Sequence, residues 1–127
     1  MNIAVYGSLR KGAYNYDRFL QKYGKEDFFS LGKIVVPGYK LYDLGSYPGV
    51  KESNSKDDTI VVDILELSEE AYDTIYSMER NAGYKAKFIE EEGITCTIFI
   101  YNLEVDEKYR IKEGDYISYL QESKASN

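Results

Sequence analysis

A chain of 127 residues, 43% hydrophobic and 30% charged, is long enough to bury a core and is expected to form one domain over 1–127. Its net charge of -6 and pI near 4.7 argue against the basic surface that nucleic acid or an anionic membrane requires, and no apolar run approaches the roughly 18 residues of a membrane span. One cysteine, Cys96, and no histidine exclude an internal disulfide and an imidazole catalyst, so proton chemistry near neutral pH falls to a carboxylate, lysine, tyrosine, the thiol or the terminal amine. The start, MNIAVYGSLR, lacks the cationic region and long apolar core of a secretory signal, and the expected compartment is the cytoplasm.

Residues 2–6 (NIAVY) read as a strand. After a loop, Tyr16, Phe19, Leu20 and Tyr23 recur at helical spacing, with Asn15 as a possible cap and Gly24 as a stop. Strand-like runs follow at 28–36 and 38–44, broken at Pro37-Gly38, and the polar, turn-rich 45–58 is a long loop or ragged hairpin. TIVVDILEL (59–67) is the clearest strand. SEEAYDTIYSMER predicts a helix capped by Ser68, with two glutamates in the first turn to suit its dipole. YKAKFIEEEGITCTIFIYN predicts a hairpin turning near Glu92-Gly93, KEGDYISYL a short helix or turn, and 121–127 a frayed tail. Many strands and few helices without a βαβ rhythm predict an α+β fold with a small mixed or closed sheet.

Two stretches resist reading as packing alone. VYGSLRKGAYN (5–15) puts a tight loop after the first strand without the Asn-Gly or Asp-Gly of a simple hairpin. Gly7 and Gly12 have phosphate-loop spacing, but Ala13-Tyr14 stand where Lys and Ser/Thr would reach phosphate and magnesium. Ser8 has no histidine to activate it, and the carboxylates are scattered rather than set at metal-ligand spacing, so neither a serine nucleophile nor a metal is expected. What survives is a loop of backbone N–H groups near a helix start, suited to a carboxylate or a developing oxyanion. The second stretch holds Glu79, which shares a helical face with Tyr72, Ile75 and Tyr76. An inward carboxylate there should have a raised pKa. Alternatively, Glu79 lies where the helix ends and pairs with Arg80 or Lys85. MERNAGY then supplies a turn and Tyr84, which could fold back over the same pocket.

YGSLRKGAYN, GSYPGV, a helix-ending glutamate followed by Gly83-Tyr84, TIFIYN and EGDYISYL, in that order along nearly the whole chain, resemble the gamma-glutamylcyclotransferase-like family. Tyr6, Gly7, Ser8, Leu9, Gly12 and Asn15 match within the first block. The resemblance implies a small mixed β-barrel with flanking helices and a cavity at one end. It implies that Tyr6, Gly7, Ser8 and Leu9 bind the α-amino acid end of a γ-glutamyl amide or peptide, that Glu79 is the general acid/base, and that Tyr101 lines the pocket, where Tyr84 is expected from the turn after Glu79 to bind substrate too. The implied reaction expels an amine or amino acid and closes the glutamyl group to 5-oxoproline, with no cofactor or metal.

That chemistry suits a chain without histidine, because the substrate's own α-amine is the nucleophile and one glutamate can carry the proton to the leaving nitrogen. Four positions depart from the family pattern: Tyr76 for a frequent aspartate, Arg80 for a glycine, Ala86 for an arginine and Tyr116 for a tryptophan. They predict a different pocket wall. Two other readings stay open: a binding domain that kept the cavity without turnover, and removal of a γ-glutamyl protecting group from a larger amine.

Overall fold

In the computed structural model, which describes residues 1–125, the chain runs β1 (Asn2–Val5), α1 (Tyr16–Tyr23), β2 (Phe28–Pro37), β3 (Tyr39–Asp43), β4 (Pro48–Glu52) and β5 (Thr59–Leu67). It continues through α2 (Glu69–Asn81), β6 (Tyr84–Glu91), β7 (Ile94–Tyr101), a 3-10 turn (Glu107–Tyr109), β8 (Arg110–Ile111) and α3 (Tyr116–Ala125). Five strands form one sheet in the order β2-β5-β1-β7-β6, and a second has the order β4-β3-β8. β1 pairs antiparallel with β5 and parallel with β7, so the larger sheet is mixed. The α+β class holds, and the barrel is an open one: two separately hydrogen-bonded sheets rather than a closed ring.

Side-chain alternation in the central strands explains the layers. Ala4 on β1, Ile60, Val62 and Ile64 on β5, and Cys96 and Ile98 on β7 face one way. They meet Tyr39 and Leu41 of β3, Val50 of β4, Ile111 of β8 and Tyr116 of α3 in a core between the sheets. Ile3, Val5, Leu65, Leu67 and Phe99 alternate to the other face, where Tyr16 of α1 and Ala71, Tyr72 and Ile75 of α2 cover them. A strand buried on both faces must be apolar almost throughout, which is why TIVVDILEL reads so clearly.

Helix α2 begins as its sequence dictates: Ser68 Oγ accepts from the Ala71 N–H at 3.2 Å. α1 ends at Gly24, whose N–H donates to the Leu20 carbonyl, but Asn15 makes no side-chain cap. The polar stretch 45–58 resolves as the ragged hairpin, since β4 pairs with β3 from Asp43↔Pro48 to Tyr39↔Glu52. The tail expected to fray from 121 instead continues α3 to Ala125, and the rest of that expectation (126–127) lies outside the described residues. Cys96 is buried in the inter-sheet core, and burial pushes its thiol up to about 11, so it serves as packing rather than as a nucleophile.

The tyrosine-rich end of the fold depends on close backbone approach. A Cβ on Gly49 would stand 2.7 Å from Leu44 Cδ1 and 2.9 Å from Tyr101 Cβ, so only glycine lets β4 lie this near β7. Gly49→Ala is expected to overpack the contact and cost about 1–3 kcal/mol, read as a lower urea midpoint at unchanged slope.

Candidate active site

β1 ends at Val5, and the loop to α1 closes on itself through its own carbonyls. Arg10 N–H donates to the Gly7 carbonyl (3.0 Å), Ala13 N–H to the Arg10 carbonyl (2.9 Å) and Asn15 N–H to the Ser8 carbonyl (2.9 Å). The N–H groups of Gly7, Ser8 and Leu9 find no protein acceptor among the described residues. They are donors left over, in the place where the sequence asked for a donor-rich cradle. Gly7 also packs on Pro48, whose Cγ would stand 2.6 Å from a Cβ at that position, so the loop is pressed against the start of β4.

Arg10 holds this arrangement in place. Its side chain is 5% exposed, donates from Nη1 to Asp115 Oδ1 at 2.8 Å, and sets Nε 3.5 Å from Asp63 Oδ2. Asp63 on β5 also accepts the Lys11 N–H (2.8 Å), and Asp115 accepts the Ser118 N–H at the start of α3. One guanidinium thus ties the loop to the interior strand β5 and to the last helix. Nothing in the loop sequence singles out Arg10; the signal available was a buried-strand aspartate, Asp63, that needed a partner.

Beside the loop lies a cavity of about 360 Å³. Its lining includes Tyr6, Gly7, Ser8 and Leu9, then Pro48, Glu79 and Tyr84, all brought to one place from four separate segments. The Tyr6 hydroxyl donates to the Phe99 carbonyl (2.7 Å) and the Tyr84 hydroxyl to the Pro48 carbonyl (2.8 Å). Burial raises both phenols, and the Glu79 charge raises them further, so they are neutral ring walls whose protons are already engaged.

Glu79 ends the apolar face of α2 that Tyr72, Ile75 and Tyr76 begin. Tyr72 is held by Thr97 Oγ1 (2.8 Å) and Tyr76 stands edge-on to Phe99 with ring centroids 5.7 Å apart. The carboxylate is half-buried, and burial lifts its pKa from the ordinary 4.5 to about 7. Among the described residues neither Arg80 nor Lys85 makes an ion pair with it; both are exposed, and the pairing expected as an alternative does not form. A carboxyl that is protonated about as often as not near neutral pH can both take and give a proton.

Tyr101 is placed differently from its expectation. Its ring packs behind Tyr84 (5.8 Å between centroids) and lines a second depression with Asp43, Tyr47, Glu104 and Tyr109, not the Glu79 cavity. Gly49 lets β4 lie directly against Tyr101 Cβ there. The four departures also fall outside the cavity lining: Tyr76 packs on Phe99, Arg80 is exposed, Ala86 sits on β6 and Tyr116 is in the inter-sheet core. The predicted change of pocket wall therefore does not come from them. Sequence reading missed the rim: Tyr14, whose hydroxyl donates to the Ser46 carbonyl at 3.3 Å, and Tyr47, which stands edge-on to Tyr84 at 6.4 Å. Two large exposed tyrosines within turn-rich segments were the available sign.

The family model described as "Gamma-glutamyl cyclotransferase, AIG2-like" matches residues 3–118. The gamma-glutamylcyclotransferase family protein YtfP of Escherichia coli (strain K12) is 25% identical over 122 residues, covering 92% of this chain and 96% of that protein. An uncharacterized protein from Pyrococcus horikoshii has a crystal structure that superposes with a TM-score of 0.80 at 25% identity, covering 98% of this chain and 97% of that one. An AIG2-like protein from Mus musculus shares the fold at a TM-score of 0.68 and 16% identity, over 91% of this chain and 86% of that one. Among the described residues no helix is long and apolar enough to cross a membrane.

Two stability measurements check the site. Arg10→Ala strands the Asp63 carboxylate in the sheet and is expected to cost about 3–5 kcal/mol in denaturant unfolding. For Glu79 the folded pKa, about 7, lies above the ordinary 4.5, so the native state binds the proton more tightly. That stabilisation is full below the lower value and is lost as pH rises through the upper one. Glu79→Gln should therefore melt with the wild type at about pH 4 and above it at about pH 8.

Proposed function

The chain belongs to the gamma-glutamyl cyclotransferase, AIG2-like family, a family of cyclotransferases, and we propose that it releases an amine or amino acid from a γ-glutamyl amide while closing the glutamyl group to 5-oxoproline. The observation that carries this reading is the half-buried Glu79 carboxyl, without a cation partner among the described residues, in the same cavity as the unpaired N–H groups of the 7–9 loop.

The residues divide the work by their chemistry. The loop amides of Gly7, Ser8 and Leu9 take the α-carboxylate or the developing oxyanion. The rings of Tyr6 and Tyr84 wall the folded glutamyl chain, keeping water from the reacting carbonyl. Tyr101 supports Tyr84 from behind. Glu79, as carboxylate, takes a proton from the substrate's α-ammonium. The freed nitrogen attacks the γ-carbonyl carbon, the new N–C bond closes the five-membered ring, and the old C–N bond breaks. Glu79 returns its proton to the departing nitrogen, and the second α-nitrogen proton ends on the released amine, an ammonium at neutral pH. Holding amine and carbonyl together can supply up to about 7–11 kcal/mol of the barrier as orientation. No step calls for a cofactor.

A second reading, removal of a γ-glutamyl protecting group from a larger amine, is favoured by one observation. The cavity adjoins the second depression, of about 520 Å³, across the shared residue Tyr47, which gives a bulky leaving group somewhere to lie.

Incubation with a panel of γ-glutamyl amines and dipeptides should yield 5-oxoproline, and Glu79→Gln should lower kcat by about 10²–10⁴-fold. For a reactive substrate kcat/KM should rise through about pH 7, as Glu79 ionises to its basic form. No product from any amide, or equal product from the variant, would sink the proposal.

A further inference from the structure

Asn15 occupies the N-cap position of α1, and asparagine is among the best residues for satisfying the free N–H groups of a first turn. Its side chain caps nothing. Instead Nδ2 donates to Ser8 Oγ at 3.0 Å, while the Asn15 backbone N–H donates to the Ser8 carbonyl at 2.9 Å. Ser8 is therefore gripped twice by one residue, and both residues line the cavity with Glu79. A local rule broken at a site needs a compensating gain there.

The gain lies in the hydroxyl. A serine oxygen has one hydrogen and two lone pairs, and here one lone pair takes the Asn15 proton. The Asn15 nitrogen is itself a donor, so the Ser8 hydrogen cannot turn toward it. Among the described residues the Ser8 hydroxyl donates no hydrogen bond.

We propose that Asn15 is a positioning residue: it forgoes the helix cap to hold the Ser8 hydroxyl as a donor into the cavity, aimed at the α-carboxylate of the γ-glutamyl group. The identity of the anion rests on the cyclotransferase reading; the geometry of the relay does not. A hydroxyl fixed as donor adds a charge-assisted bond to those of the loop amides, whereas a free rotor would spend part of its time presenting lone pairs to the anion.

Asn15→Asp separates this role from a structural one. Aspartate has the same shape and caps helices equally well, but it can only accept, so the Ser8 hydrogen turns to it and leaves the cavity. The melting temperature should hold or rise, while KM for a γ-glutamyl amide rises roughly 10- to 100-fold with kcat little changed. Weaker binding of L-5-oxoproline, followed by shifts of labelled backbone amides, should match the change in KM. In a Ser8→Ala background the aspartate should add nothing, whereas simple repulsion of the carboxylate would persist there. The neutral capping variant Asn15→Ser should move KM in the same direction.

Unchanged KM and 5-oxoproline binding in Asn15→Asp, a fall in its melting temperature, or an undiminished effect in the Ser8→Ala background would each overturn the relay. A wild-type protein that binds 5-oxoproline with this coupling yet turns over no γ-glutamyl amide would keep the relay and refute the enzymatic reading. A protein that neither binds nor turns over refutes both.

Discussion

The Arg10 guanidinium is the contact on which the rest of the site depends. A ten-residue excursion between a strand and a helix has many conformations to lose, and its own backbone bonds fix only its interior turns. Arg10 fixes the whole excursion relative to the fold, because Asp63 belongs to the interior strand β5 and Asp115 precedes the last helix. Asp63 is in turn acceptable in a strand buried on both faces only because Arg10 and the Lys11 N–H satisfy it. Strand, loop and last helix are thereby mutually conditional. With the loop fixed, the N–H groups of Gly7, Ser8 and Leu9 remain as organised donors beside the cavity.

Opposite those donors the fold does the reverse for Glu79. Elsewhere it surrounds charges with partners: Arg110 and Lys40 answer Asp58, and Lys87 answers Glu52. Glu79 has aromatic walls and no described cation, which is what keeps its proton available near neutral pH. In a chain without histidine this is a direct route to a group that titrates near 7. The same environment makes the ionised form a cost to folding, so the cavity gives up some stability to keep a carboxyl that titrates near 7.

Most of this was legible in the sequence where one residue's chemistry decided the outcome. The strand TIVVDILEL, the Ser68 cap, the turn at Glu92-Gly93 and the inward face ending in Glu79 follow from periodicity and local donors and acceptors. The misreadings came where long-range contact overrode local preference. Asn15 looks like a cap and is diverted to Ser8, seven residues away in sequence and adjacent only once the loop folds. The resemblance implies Tyr101 in the pocket, but it lines the neighbouring depression, with Gly49 of β4 packed against its Cβ. Arg10 gains its role only when Asp63 and Asp115, more than fifty and a hundred positions on, close around it. Its role depends on register, which hydropathy does not encode.

In the proposed reaction the attacking nucleophile is the substrate's own amine rather than water. Turnover of a γ-glutamyl amide in ¹⁸O-enriched water, with products resolved by mass spectrometry, tests it most directly. Intramolecular attack gives 5-oxoproline free of the heavy isotope and a released amine in equal amount. Glutamate carrying ¹⁸O in its γ-carboxylate would show hydrolysis and contradict it.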